Sequence, residues 1–239
     1  PQLQRLWRDA DALARVYRRP LFEPGFLADL RLLPTEYLYF YYRPADAIAN
    51  LKSAGVTRGR LIEDLTARLF AALERNDVDA VRAYDAYLEA RNDSYMQLET
   101  TTLGPRTLGG PYTRQERVTS ELAGYDRIAL AVVRAIHFDQ SRIIPLNVRN
   151  GGSIADLRDD DVVEVPCTVN AAGAKPIGSR RAPPAVRDLL LAVKEYERLT
   201  VDAALEQSEP SARRALASNP LVGNDAIASQ LLESLKWKG

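Results

Sequence analysis

The sequence predicts an α+β fold, mostly helical, with one small antiparallel sheet. Three observations predict it. Apolar residues recur at three-and-four spacing over several stretches, two short runs switch to strand-like patterns separated by turn residues, and Gly, Pro and Asn punctuate the boundaries.

In chain order, Leu61, Ile62, Leu65, Leu69, Ala72 and Leu73 form an amphipathic helical stripe that Asn76-Asp77 ends. A second helix follows, with Val78, Val81, Tyr84 and Leu88 on one stripe. Between Glu99 and Val118, Gly104, Pro105, Gly109, Gly110 and Pro111 break every periodic pattern. That stretch reads as an exposed or mobile loop, of a length that often covers a site. After Gly124 the pattern Ile128, Val132, Val133, Ile136 is helical again. Ile143 to Val148 then reads as a strand ending in the turn Arg149-Asn150-Gly151-Gly152. Val162 to Val169, Asn170-Ala171-Ala172-Gly173 and Ala174 to Ile177 read as a β-hairpin. Pro183-Pro184 starts the longest helix, whose stripe is Leu189, Leu190, Val193, Tyr196, Leu199 and Ala203. Two more helices, near Ser211 to Ser218 and Asp225 to Lys236, are split by Asn219-Pro220, which a helix interior does not tolerate.

The bulk properties bound the function. A chain of 239 residues, 46% hydrophobic and 27% charged, can build one sizeable core. With no internal repeat or composition shift, residues 1–239 read as a single domain. Lys plus Arg and Asp plus Glu are equal at 32 each, so net charge gives no reason to expect nucleic acid or a membrane as partner. Any recognition of an anion must be local. The single cysteine, Cys167, rules out an internal disulfide framework and fits a reducing, cytoplasmic setting. No apolar run approaches the ~18 residues of a membrane span, and residues 1–7 lack the apolar core of a signal peptide. A start at Pro1 and a lone Met96 fit a processed or truncated product.

Six segments in order carry a family resemblance. They are Pro34-Thr35-Glu36-Tyr37-Leu38 with Tyr41-Tyr42, Gly124-Tyr125, Leu146-Asn147-Val148-Arg149-Asn150, Val162-Val163-Glu164-Val165-Pro166-Cys167, the run Val193 to Ala204, and Asn219-Pro220-Leu221-Val222. Together they resemble the C-terminal domain of the NAD-dependent glycoside hydrolases of family four. The long run Val193 to Ala204 is most similar to the 6-phospho-β-glucosidase branch. The fold so implied is like the C-terminal domain of lactate and malate dehydrogenases.

The resemblance implies that this chain is the substrate-binding and oligomerisation domain, with the N-terminal Rossmann NAD domain absent from it. It implies NAD and a divalent metal, usually manganese, as cofactors, a phosphorylated disaccharide or glycoside as substrate, and a homodimer or homotetramer. In that family NAD takes a hydride from C3 of the sugar, a base removes the C2 proton, and the glycosidic oxygen leaves by elimination. Such chemistry departs from the two-carboxylate glycosidases. No G-x-G-x-x-G follows a strand here, and Gly104, Gly109 and Gly110 lack that spacing, so the nucleotide motif is not in this chain. On its own the fragment is expected to be inactive. The rival readings are a non-catalytic helical interaction module and a family-four α-glycosidase or α-galactosidase.

Residue by residue, the resemblance makes Tyr125 the base at C2, since the family's tyrosine follows a glycine just before an apolar helix. A phenol, with a pKa near ~10, needs a nearby cation or metal for that role. Read alone, Tyr125 is a tyrosine that packs its ring at a helix start. Arg149 could bind the substrate's 6-phosphate through paired charged hydrogen bonds, or be an exposed turn arginine. Asn150, with Asn147, could assist it or shape the turn. His137 reads as a helix-end imidazole and Cys167 as a buried strand residue, neither of them a metal ligand. The aromatic run Tyr37 to Tyr42 reads as core packing and subunit contact, and Asp159-Asp160-Asp161 as a solvated turn.

Overall fold

A computed structural model of the protein describes residues 5–17, 21–75, 79–103 and 125–235. They gather into two compact units, Pro1–Gly124 and Tyr125–Gly239.

The first unit is helical. Its helices are α1 (Ala10–Val16), α2 (Pro24–Leu30), α3 (Tyr39–Tyr42), α4 (Pro44–Ala54), α5 (Arg58–Leu73) and α6 (Ala80–Asp93). Short 3₁₀ turns lie at Glu36–Leu38, before α3, and at Thr101–Leu103, after α6. Local chemistry sets the boundaries. Asp9 caps α1 by accepting the Ala12 amide at 2.8 Å, and Asp79 caps α6 by accepting those of Val81 and Arg82 at 3.0 and 3.2 Å. Pro24 and Pro44 sit in the first turns of α2 and α4, where a missing N–H costs nothing. Gly55 closes α4 at φ +65°, a conformation that a side chain would strain.

The core of this unit is Leu13, Leu21, Phe22, Leu27, Tyr39, Ala47 and Met96. Phe22 stacks on Phe26 at 5.2 Å between ring centres and meets Tyr42 edge-on at 6.0 Å. The aromatic run is therefore core packing at Tyr39, whereas Tyr37 and Tyr41 stay exposed. Among the described residues, the buried Tyr39 Oη, Arg58 Nε and Glu99 Oε2 find no hydrogen-bond partner. α5 and α6 form an antiparallel hairpin whose main packing partner is each other, and neither helix has a fully buried residue. Phe70 and Val81 stand 62% and 71% exposed near its tip. The loop expected from Glu99 to Val118 is corrected in its first five residues: Glu99 and Thr100 are buried, and Thr101–Leu103 is a helical turn. The remainder, with Gly104, Pro105, Gly109, Gly110 and Pro111, lies outside the described residues.

The second unit contains the sheet. α7 (Tyr125–His137) leads into β1 (Arg142–Arg149), β2 (Val162–Asn170) and β3 (Gly173–Pro176), then α8 (Pro184–Glu206), α9 (Glu209–Ser218) and α10 (Asp225–Leu235). The strands are antiparallel in the order β1-β2-β3, as the α+β reading expects. In the β1–β2 register Ile144 faces Cys167, Leu146 faces Val165 and Val148 faces Val163. This alternation gives the sheet one apolar face, on which Ala135 and Val132 of α7 pack. Cys167 is fully buried there, and burial pushes its thiol pKa up. Pro145 pairs with Pro166, and the Pro166 carbonyl accepts the Ile177 amide at 2.9 Å. A residue's N and O point to the same side of an antiparallel strand, so the missing N–H of Pro145 faces away from β2, where no bond is lost. The turn between β2 and β3 has Gly173 at φ +93°, and Asn170 Oδ1 accepts the Ala172 amide at 3.0 Å.

Candidate functional site

Tyr125 is the first residue of α7, and its side chain is 89% exposed with no hydrogen-bond partner among the described residues. The apolar stripe that makes α7 a helix turns Val132 and Ala135 onto the sheet and leaves the tyrosine at the outer end. Residues 138–141 connect α7 to β1, whose last residue is Arg149.

Arg149 is exposed and pairs in register with Val162. Its Nε donates to the Asp159 carbonyl at 3.3 Å, and the same carbonyl accepts the Gly151 amide at 3.0 Å. One edge of the guanidinium is held by the loop it grows from. The terminal nitrogens have no hydrogen-bond partner among the described residues and could form the fork that recognises an anion.

Asn150 is 0% exposed, and its side chain acts as the centre of the following loop. Its Oδ1 accepts the Ile154 amide at 2.7 Å, while its Nδ2 reaches the carbonyls of Ile154, Leu157 and Arg158 at 3.0 to 3.3 Å. Of the two roles open to it in the sequence, shaping the turn is the one this geometry describes. Gly151 and Gly152 follow at φ +47° and +82°, where the chain must turn left-handed.

The loop from 150 to 161 is anchored on two sides. On one, Asp156 accepts Arg187 Nε at 2.8 Å and the Ala182 amide at 2.9 Å. Those two bonds, Arg187 first, hold its carboxyl below the usual range. Ser179 Oγ also donates to the Gly152 carbonyl at 2.6 Å. On the other side, α8 contributes Lys194 and Arg198. Lys194 Nζ donates to the Val162 carbonyl and to Glu197, both at 2.5 Å. Arg198 donates to Asp161 Oδ1 at 2.6 Å and to Glu195 at 3.0 Å. Burial opposes the charge of Arg198, but its bonds to Asp161 and Glu195 prevail and raise its pKa above the ordinary value. Asp161 also accepts the Arg158 amide at 2.9 Å.

Asp161 is a correction to the sequence reading. Asp159 and Asp160 are solvated as expected, but the Asp161 side chain is only 3% exposed because Arg198 neutralises it. Lys194, Arg198, Asp161, Asp156 and Arg187 are the charged members of this region that sequence reasoning missed. The local pattern gave no clear signal: Lys194 and Arg198 stand one turn apart on a face of α8 that also carries Arg187 and Asp202, away from the stripe of Leu189, Val193, Tyr196 and Ala203, and such a face reads as solvated.

Among the described residues, no group of three or more His, Cys, Asp or Glu could hold a metal ion. His137 sits exposed at the end of α7, its ring edge-on to Phe138 at 4.6 Å. These residues do not fit the manganese or the nucleotide that the resemblance implies, and neither group's chemistry is ascribed to them. No helix of the described residues is long and apolar enough to cross a membrane.

Comparison with known proteins agrees with the resemblance. A model for the family 4 glycosyl hydrolase C-terminal domain matches residues 2–222. A probable 6-phospho-beta-glucosidase of Bacillus subtilis (strain 168) is 28% identical over 214 residues, 90% of this chain and 42% of the relative. The 6-phospho-beta-glucosidase BglT of Thermotoga maritima is 36% identical over 111 residues, 46% of this chain and 27% of the relative. A structure of the Thermotoga maritima 6-phospho-beta glucosidase with manganese, NAD+ and glucose-6-phosphate has a TM-score of 0.64 at 23% identity, covering 96% of this chain and 46% of that one. That likeness shows a shared fold. The chain spans less than half the length of these relatives.

Proposed function

The chain belongs to the C-terminal domain family of the family 4 glycosyl hydrolases, and from that premise we propose that it is the substrate-side domain of a 6-phospho-β-glucosidase. The complete enzyme would be a cytoplasmic homodimer or homotetramer that uses NAD and manganese, both held outside the residues described above. It would cleave phosphorylated glycosides by oxidation at C3, deprotonation at C2 and elimination of the glycosidic oxygen. Residues 1–239 would form its substrate-binding and oligomerisation domain.

The observation that carries the reading is the position of Tyr125. A tyrosine sealed in the core could not meet a sugar, whereas this one is 89% exposed at the first turn of α7, with no hydrogen-bond partner for its hydroxyl among the described residues. In the proposed reaction the phenolate oxygen takes the C2 proton as the glycosidic C–O bond breaks. Arg149 would hold the 6-phosphate through its free terminal nitrogens, with Asn150 fixing the loop beneath it.

Replacing Tyr125 with Phe in the complete enzyme tests the assignment. Exchange of the substrate C2 proton with deuterated solvent should slow by about 10²- to 10⁴-fold, the usual contribution of a positioned base. Exchange at the wild-type rate would remove Tyr125 from the mechanism.

A further inference from the structure

The segment Val193 to Ala204 is prominent in the sequence, yet nothing in the proposed reaction uses it directly. Its two core-facing cations converge on one place. Val162 is the register partner of Arg149, and Lys194 Nζ donates to the Val162 carbonyl at 2.5 Å. Asp161 is the residue before it, and Arg198 holds the Asp161 carboxylate at 2.6 Å. The Asp161 carbonyl in turn accepts the Asn150 amide at 2.7 Å, directly after Arg149. Lys194 and Arg198, one helical turn apart, thus grip the two consecutive residues that face Arg149 and Asn150 across the end of the β1–β2 ladder.

Burying two cations is an expensive way to attach a helix to a sheet. Their side chains are only 11% and 25% exposed, and a well-packed apolar pair would hold the helix as firmly. Directed hydrogen bonds add something that apolar packing lacks, a fixed position for the carbonyl and carboxylate they touch. We propose that Lys194 and Arg198 are positioning residues that set the outward direction of the Arg149 guanidinium, and so act on substrate phosphate without touching it. This rests on the reading of Arg149 as the phosphate contact.

A double-mutant cycle in the complete enzyme tests it, with kcat and KM measured on a 6-phosphorylated glycoside. Arg149→Met should raise KM by about 10- to 100-fold, the range for loss of a charge-assisted contact. Arg198→Met should also raise KM, by about 10-fold, with the rise falling on KM rather than kcat. In the Arg149→Met background Arg198→Met should add nothing further, because its only route to the substrate has gone. Arg198→Lys, which keeps the charge, should recover part of the loss and serves if the methionine variant does not fold. If Arg149→Met leaves KM unchanged, the phosphate reading falls and this inference falls with it. If Arg149→Met raises KM but Arg198→Met does not, or the two effects multiply in full, the positioning role is overturned and the phosphate reading stands.

Discussion

The two units hold themselves together by different means. The first packs rings: Phe22, Phe26, Tyr39 and Tyr42 interlock around Leu13 and Leu27, and among its described residues three buried polar atoms have no hydrogen-bond partner. The second has a smaller apolar centre of Ala135, Cys167 and Val169, and holds its 150–161 loop with hydrogen-bonded charges. Among its described residues no buried polar side-chain atom lacks a partner. Apolar packing is non-directional and tolerates a stranded hydroxyl if enough area is buried. A hydrogen-bond network is directional, so it can place a loop accurately, but it fails when one member is lost. The difference teaches that accuracy is invested in the unit that carries Tyr125 and Arg149.

Three changes would break or sharpen this contrast. The largest effect is expected from Phe22→Ala, which empties the centre of the aromatic cluster and should cost about 3 to 5 kcal/mol of stability. Urea unfolding would measure it, and a cost below about 1 kcal/mol would show that the rings are not what holds the first unit. Next comes Asn150→Ala, which strands the Ile154 amide and the carbonyls gathered by Nδ2. A loss of about 2 kcal/mol is expected, with faster amide exchange confined to residues 150–161. Uniform exchange across the second unit would mean that the loop is not an independent network.

The smallest effect concerns pH. The Asp156 carboxyl is held below its ordinary value by Arg187 and the Ala182 amide. Its contribution to stability is therefore complete above the unfolded value of about 3.9 and is lost as pH falls through the lower folded value. Wild type should exceed Asp156→Asn in urea midpoint at neutral pH, and the gap should close in strong acid. A gap independent of pH would mean that the carboxylate charge is not what anchors the loop.

Much of the second unit was legible in the sequence. The stripe from Leu189 to Ala203 is long enough to repeat several times, and α8 duly spans Pro184–Glu206. Asn170 to Gly173 marks the hairpin because one glycine must take positive φ. The first unit was less legible at its start. α1 and α2 are seven residues each, too short for a three-and-four repeat to show. In the site, Tyr125 and Arg149 stand at the element ends where the pattern placed them. Asp161 was misread because three adjacent aspartates look solvated, while its partner Arg198 is 37 residues away.

The sequence by itself determined the helices and strands of the second unit and the two helices of the α5–α6 hairpin, and that the sheet is small and antiparallel. These are local properties, decided by spacing within a few residues and by turn chemistry. Only the tertiary structure decided which charges are buried and against what. A cation in a helix carries no local mark of its burial, and the group that neutralises it is chosen by folding, which brings together atoms that no sequence spacing connects.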